Sequence, residues 1–149
     1  MPQTELDEDD IERLRVAIAK VGRSLRLSSP HTGLTPTQTT VLFTVVRAGP
    51  IGVAELAAAE GLNPTMLSRV LGLLADDGLL VRTPDPRDRR SVLVEATPAG
   101  RRLRERTRKA RAATLRDHLD HLGPEQLSTL HEALPILEAL AHTLKEARA

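Results

Sequence analysis

The sequence predicts a mainly α-helical chain that carries one small β-hairpin, and three observations lead there. Between residues 7 and 147 apolar residues recur at steps of three and four, the helical period. Only two short apolar runs, Leu79 to Thr83 and Ser91 to Glu95, read as strands, and the loop between them is PDPRDRR. Two short helices joined at Gly61 stand directly before that hairpin. Helix, turn, helix and basic hairpin in this order are the layout of a winged helix-turn-helix, here flanked by long helices.

The second helix of the pair is the element the rest serves. Asn63 is a strong N-cap residue and Pro64 suits the first turn, where its missing amide proton would be unpaired anyway. Leu67, Val70, Leu71 and Leu74 share one face, while Thr65, Ser68, Arg69 and Gly72 share the opposite one. No acidic residue occurs between Gly61 and Ala75, so this outward face can approach an anion. Gly78 ends the helix. In the hairpin loop the prolines and aspartates serve turning, and Arg87, Arg89 and Arg90 serve contact.

The runs LSRVLGLLADDGLLVR ending at Arg82, DPRDRR from Asp85 to Arg90, and LVEATPAG from Leu93 to Gly100 stand in fixed order. In these runs the chain resembles the MarR family of transcriptional regulators, and the flanking helical pattern extends the resemblance over nearly the whole chain. The resemblance implies a homodimer that binds a pseudo-palindromic DNA duplex, often releasing it when a small molecule binds. It also implies an ion pair in which Asp88 aims Arg90.

Composition bounds the alternatives. The chain has 149 residues, the size of one domain over 1–149, with a DNA-binding lobe expected at 35–100 and a helical dimerisation region at 7–28 and 101–147. With no cysteine there is no disulfide, thiol switch or cysteine-ligated zinc. No apolar run approaches the roughly 20 residues of a membrane span, so no membrane partner and a cytoplasmic location are expected. Phe43 is the sole aromatic residue, which disfavours stacking on unpaired bases and hence single-stranded nucleic acid.

Net charge is +1, but its distribution is uneven. Residues 1–60 carry 6 basic against 8 acidic residues, 61–116 carry 13 against 6, and 117–149 carry 2 against 6. A basic middle between acidic ends is the electrostatic footprint of a duplex-binding surface whose dimerising parts stand away from phosphate.

Taken in chain order, the first helix spans Asp7 to Leu27 with Ile11, Leu14, Ile18, Val21 and Leu25 in a narrow stripe that wants a partner helix. The segment SSPHTG breaks it. Thr35, Pro36 and Gln38 then form a capping box that opens a second helix through Val41, Leu42, Val45 and Val46 to Gly49. A connector with Ile51 can add a third strand. The helix from Val53 to Glu60 uses Gly52 as its cap, a substitute for Ser or Thr that costs a few tenths of a kcal/mol. Thr97 and Pro98 open a long helix whose first half is very basic, from Arg101 to Arg111, and a run of that kind is usually a solvated face. Gly123 and Pro124 open the last helix, where Leu127, Leu130, Leu134, Leu137, Ala141 and Leu144 form a second narrow stripe. Two such stripes suggest an intermolecular bundle. Pro135 removes one backbone hydrogen bond there, so a kink near His131 is expected.

Other chemistry is sparse. His118 and His121, with Asp117 and Asp120 nearby, are the densest potential metal ligands; some MarR-like proteins sense zinc, yet the density falls short of a structural zinc site. No metal or cofactor is expected. No cysteine nucleophile, phosphate-cradling glycine loop or compact Ser, His and Asp grouping supports an enzyme.

The expected activity is sequence-specific binding of double-stranded DNA by a transcriptional repressor that a small anionic organic ligand releases. A metal-responsive regulator and a helical interaction module without DNA binding are the alternatives. Pro64, Thr65, Ser68 and Arg69 would meet the major groove, where arginine bridges guanine O6 and N7. Arg87, Asp88, Arg89 and Arg90 form the wing, with Arg90 at its tip in the minor groove, whose negative potential draws arginine. Resemblance places an effector pocket between the first, second and fifth helices, with apolar contacts from Leu34, Val41 and Phe43 and an acid-binding arginine, Arg15 or Arg47.

Overall fold

A computed structural model describes residues 5–28 and 31–147 of the chain. Six helices and three strands follow one another as α1 (Glu8–Leu27), α2 (Pro36–Ala48), β1 (Ile51–Gly52), α3 (Val53–Glu60), α4 (Pro64–Asp76), β2 (Leu80–Asp85), β3 (Asp88–Ala96), α5 (Pro98–Leu119) and α6 (Pro124–Glu146). The expected mainly α architecture with a small β-wing is present. Of the expected helix-breaking segment from Ser28 to Gly33, residues 29 and 30 lie outside the described residues.

Helix starts follow the capping chemistry of the sequence. Thr35 and Gln38 cap α2 reciprocally: the Thr35 hydroxyl accepts from the Gln38 amide at 3.2 Å, and the Thr35 amide donates to Gln38 Oε1 at 2.7 Å. Asp7, Asn63 and Thr97 cap α1, α4 and α5 in the same sense, each accepting a backbone amide three residues on. Gly52 precedes α3 with no side-chain cap. At the other end of α3, Gly61 turns the chain with φ +62, a left-handed conformation that favours glycine. α6 runs uninterrupted through Pro135.

The sheet is antiparallel in the order β1-β3-β2, with Ile51 opposite Val94 and Leu80 opposite Ala96. Ile51 thus adds the third strand. Both hairpin strands are longer than the sequence suggests, and only Pro86 and Arg87 remain between them. Pro84 is tolerated because β2 is an edge strand, where a missing amide proton leaves no partner unpaired. Register shifts between Pro84 and Asp85, from Pro84 opposite Val92 to Asp85 opposite Asp88, so Arg89, Arg90 and Ser91 bulge out of the ladder.

One core serves the winged lobe. Val41, Leu42 and Val45 of α2 meet Leu56 of α3, Leu67, Leu71 and Leu74 of α4, and Leu80 and Val94 of the sheet. Leu42, Leu56, Leu67 and Leu74 have no exposed surface, each fully buried Leu contributing about 1.5–3 kcal/mol against an exposed one. By contrast neither α1 nor α6 holds a buried residue. Ile11, Val21 and Leu144 are more than half exposed, and Ile18 and Leu134 nearly so.

The lobe joins α5 through the junction of α4 and β2. Thr97 Oγ1 donates to the Gly78 carbonyl at 2.6 Å, and the Thr97 amide donates to the Leu79 carbonyl at 3.1 Å. Gly100, one turn into α5, is buried against the same Leu79 carbonyl, and a Cβ there would also lie 3.2 Å from Leu42 Cδ1. Gly100→Ala should therefore destabilise the chain by about 1–3 kcal/mol, as overpacking does, measurable by urea unfolding. An unchanged midpoint would mean that α5 is not seated on Leu79.

Candidate nucleic-acid interface

Burial on α4 divides the helix as its sequence pattern requires. Leu67, Val70, Leu71 and Leu74 are buried, while Pro64, Thr65, Ser68 and Arg69 are exposed. The Asn63 side chain accepts from the Met66 amide at 2.8 Å, which fixes the first turn and presents Thr65 at the exposed N-terminal end. Amide groups at a helix N-terminus attract anions. Among the described residues the Arg69 guanidinium has no hydrogen-bond or ion-pair partner, so it meets an incoming group without first breaking a bond.

The hairpin end gathers Arg87, Asp88, Arg89 and Arg90, all exposed. Its two aspartates act on the backbone. Asp85 Oδ1 accepts the Arg87 amide at 2.9 Å, and Asp88 Oδ1 accepts the Arg90 amide at 2.9 Å while its Oδ2 takes the Ser91 hydroxyl at 3.3 Å. Such Asx bonds replace ladder bonds lost at the bulge, which is why the strands extend so far toward the tip. Two expectations change as a result. Arg87 occupies the turn at the tip, paired with Asp85 at 3.5 Å, and Arg90 lies in the bulge of β3 behind it. Asp88 aims Arg90 through its amide rather than by an ion pair, and the guanidinium has no partner among the described residues.

Arg82, on β2, escaped sequence reasoning as a site residue. Its Nη2 donates to the Ser68 carbonyl at 3.1 Å and so ties wing to recognition helix. No local sequence signal marks it, because the contact joins residues 14 apart. Arg101 of α5 pairs with Glu95 of β3 at 3.3 Å, linking the wing base to the long helix.

The residues expected to bind an effector separate. Leu34 and Phe43 line one concavity of about 700 Å³ between α1, α2 and α5. Val41 does not line it, being fully buried in the lobe core. Arg15 lies on an exposed face of α1, where its guanidinium donates to both Glu12 carboxylate oxygens at 2.7 and 2.5 Å; that hydrogen bonding holds the Glu12 carboxyl below its ordinary range. Arg47 lines a different concavity, beside Glu60 and the end of α6. The cations in the Leu34 and Phe43 concavity are instead Arg26 and Arg111, and the Arg111 guanidinium carbon sits 5.6 Å from the Phe43 ring centroid, a cation–π arrangement. Arg111 belongs to the basic run whose residues read, in sequence, as a solvated face.

His118 Nδ1 donates to the Thr114 carbonyl at 2.7 Å, a bond within its own helix. No group of three or more potential metal ligands occurs among the described residues. Nor is any described helix long and apolar enough to cross a membrane.

In the sense of the recognition helix it presents, Arg69→Ala should cost about 1–3 kcal/mol on the preferred duplex and relax preference at one position per half-site. Arg89→Ala should weaken binding to every duplex alike and lower the salt slope by about one unit. Equal losses for Arg69→Ala on preferred and random DNA would make its contact a phosphate contact.

Comparison with known proteins agrees with this geometry. The MarR family model matches residues 34–92. An HTH-type transcriptional regulator of Mycobacterium tuberculosis is 32% identical over 127 residues, 85% of this chain and 89% of that one. The multiple antibiotic resistance protein MarR of Salmonella typhimurium is 32% identical over 68% of this chain and 71% of its own. Among solved structures, Bordetella bronchiseptica BpsR, whose DNA binding is regulated by 6-hydroxynicotinic acid, superposes with a TM-score of 0.61 at 25% identity, covering 88% of this chain and 99% of that one. The chain belongs to the MarR family of winged helix-turn-helix, DNA-binding transcriptional regulators.

Proposed function

We propose that the protein is a repressor that binds a pseudo-palindromic duplex as a homodimer and lets it go when a small anionic organic molecule binds. The observation that carries the DNA-binding half is the exposed face of α4, with Thr65, Ser68 and an Arg69 that has no partner among the described residues, on a helix tied through Arg82 to a hairpin whose end holds three arginines. An α-helix fits the major groove, and arginine beside it suits the narrower minor groove.

Dimerisation is supported by the helices that flank the lobe. The stripes Ile11, Leu14, Ile18, Val21 and Leu25 on α1 and Leu127, Leu130, Leu134, Leu137 and Leu144 on α6 stand on helices without a single buried residue. Contiguous exposed apolar surface of this kind marks an interface. Two linked half-site contacts then multiply affinity by effective concentration. The acidic ends of the chain keep these helices away from phosphate.

Release by an anion is supported by the concavity between α1, α2 and α5. It offers the Phe43 ring and Leu34 for apolar contact, with Arg26 and Arg111 as counter-charge. BpsR responds to an aromatic carboxylic acid, the chemical class that such a lining fits. A ligand shifts the protein away from DNA only by binding the DNA-free form better, and a tenfold preference supplies about 1.4 kcal/mol. Absence of cysteine leaves peroxide no thiol to oxidise.

Titration of a complex between the protein and its selected duplex tests the whole reading. An aromatic carboxylate should release the DNA, whereas its uncharged amide, zinc and peroxide should not. Release by zinc or peroxide alone would overturn the ligand assignment.

A further inference from the structure

Gly72 stands in the interior of α4 with no backbone reason to be glycine. A glycine there costs about 1 kcal/mol relative to alanine. Left-handed φ values occur at Gly33, Gly61 and Gly78, not at Gly72. A Cβ on Gly72 would meet no backbone atom within 4 Å; its one neighbour is Arg82 Nη2, at 3.9 Å. The group that lies over Gly72 is therefore the Arg82 guanidinium, at ordinary van der Waals distance from where a Cβ would stand.

The sheet delivers Arg82 to this place. Leu80 and Arg82 are two residues apart on β2 and so point to the same face, opposite Ala96 and Val94, both buried. Leu80 fills the core beneath α4, and Arg82, further out toward the tip, emerges across the helix. There it donates to the Ser68 carbonyl at 3.1 Å. That carbonyl lies one turn before Gly72, so the guanidinium is pinned over the same face that carries Thr65, Ser68 and Arg69.

One hydrogen bond leaves most of the fork of five N–H donors unused, and Arg82 is exposed. Among the described residues it makes no ion pair, and Asp76, one turn beyond Gly72 on the same face, does not engage it. An arginine already fixed in position loses less side-chain entropy when it binds a planar acceptor pair.

We propose that Arg82 is a second base-reading arginine, supplied by the wing strand and laid over Gly72 onto the groove face of α4. Gly72 lies three residues beyond Arg69, about 4.5 Å along the helix axis at 1.5 Å per residue. That exceeds the spacing of about 3.4 Å between successive bases, so Arg82 reads a different base pair from Arg69. Gly72 and Arg82 form one recognition unit: the arginine supplies the donors, and the absence of a long side chain at Gly72 keeps the helix surface beneath it low. The inference rests on α4 being the helix that enters the groove.

The test uses a duplex selected by the full-length wild-type protein from a random pool, together with every single base-pair substitution of it. Two variants disturb the unit from opposite sides. Arg82→Lys keeps the charge and loses the fork, while Gly72→Gln keeps the arginine and fills its place. Both should flatten discrimination at one and the same base pair per half-site by about 10- to 100-fold, leaving the base pair read by Arg69 unchanged. Affinity of Arg82→Lys for random duplex and its thermal midpoint should stay near wild type. A uniform loss over all duplexes, or an unchanged preference profile, would overturn the proposal and leave Arg82 as a brace between wing and helix. If the wild-type protein selects no duplex, the reading of α4 as a groove helix falls, and this inference falls with it.

Discussion

At the junction of α4, β2 and α5, one threonine and one glycine hold the winged lobe on the long helix. Thr97 caps α5 through the Gly100 amide while donating its hydroxyl to Gly78 and its amide to Leu79. Gly100 allows the helix to lie directly on the Leu79 backbone. The exposed face of α4 and the basic hairpin belong to the lobe that this seam joins to α5, whereas the apolar stripes stand on α1 and α6, which hold no buried residue. The direction in which α4 faces relative to a second copy is thus set by a few hydrogen bonds between backbone and a cap residue. Those bonds satisfy groups at the end of one element and the start of the next, so a shift of either element breaks several of them together.

The same economy governs the wing. Aspartates in a basic hairpin would weaken attraction to phosphate if their charge faced outward. Asp85 and Asp88 instead spend their oxygens on the Arg87 and Arg90 amides, so they shape the backbone and leave Arg89 and Arg90 directed to solvent. Arg87 at the tip pairs with Asp85 and Arg101 with Glu95 at the wing base, and further along α5 Arg108 pairs with Glu105 at 2.8 Å. Hydrogen bonding to Arg108 holds the Glu105 carboxyl below its ordinary range. Charge is therefore paired at Arg87, Arg101 and Arg108 and left open at Arg89 and Arg90 of the hairpin among the described residues, a finer pattern than the segment totals of the sequence convey.

Most of the fold was legible because capping residues and apolar period agree along the chain. Thr35 with Gln38, Asn63 with Pro64, and Thr97 with Pro98 mark three helix starts within a residue of where they occur. The hairpin was less legible: two prolines and two aspartates suggest a long loop, whereas Asx bonds and an edge position let the strands run through them. Side-chain facing on α2 was harder still. Val41 and Phe43 are two residues apart on one helix, and only tertiary packing decides that Val41 is fully buried while Phe43, at the edge of the core, lines the concavity. Arg15 and Arg47 carry no sequence mark that separates them from Arg26 and Arg111. Arg82 became visible as a site residue only once β2 lay across α4, since the contact joins residues 14 apart.

The central claim is geometric: two copies of α4, held apart by α1, α5 and α6, enter successive major grooves on one face of a duplex while the hairpins flank them. Hydroxyl-radical footprinting of the wild-type protein on its selected duplex tests this most directly. The account predicts two protected windows related by a dyad, their centres about one helical turn, or roughly 10 base pairs, apart, each bordered by a protected minor-groove patch. A single window, or even protection without a dyad, would contradict it.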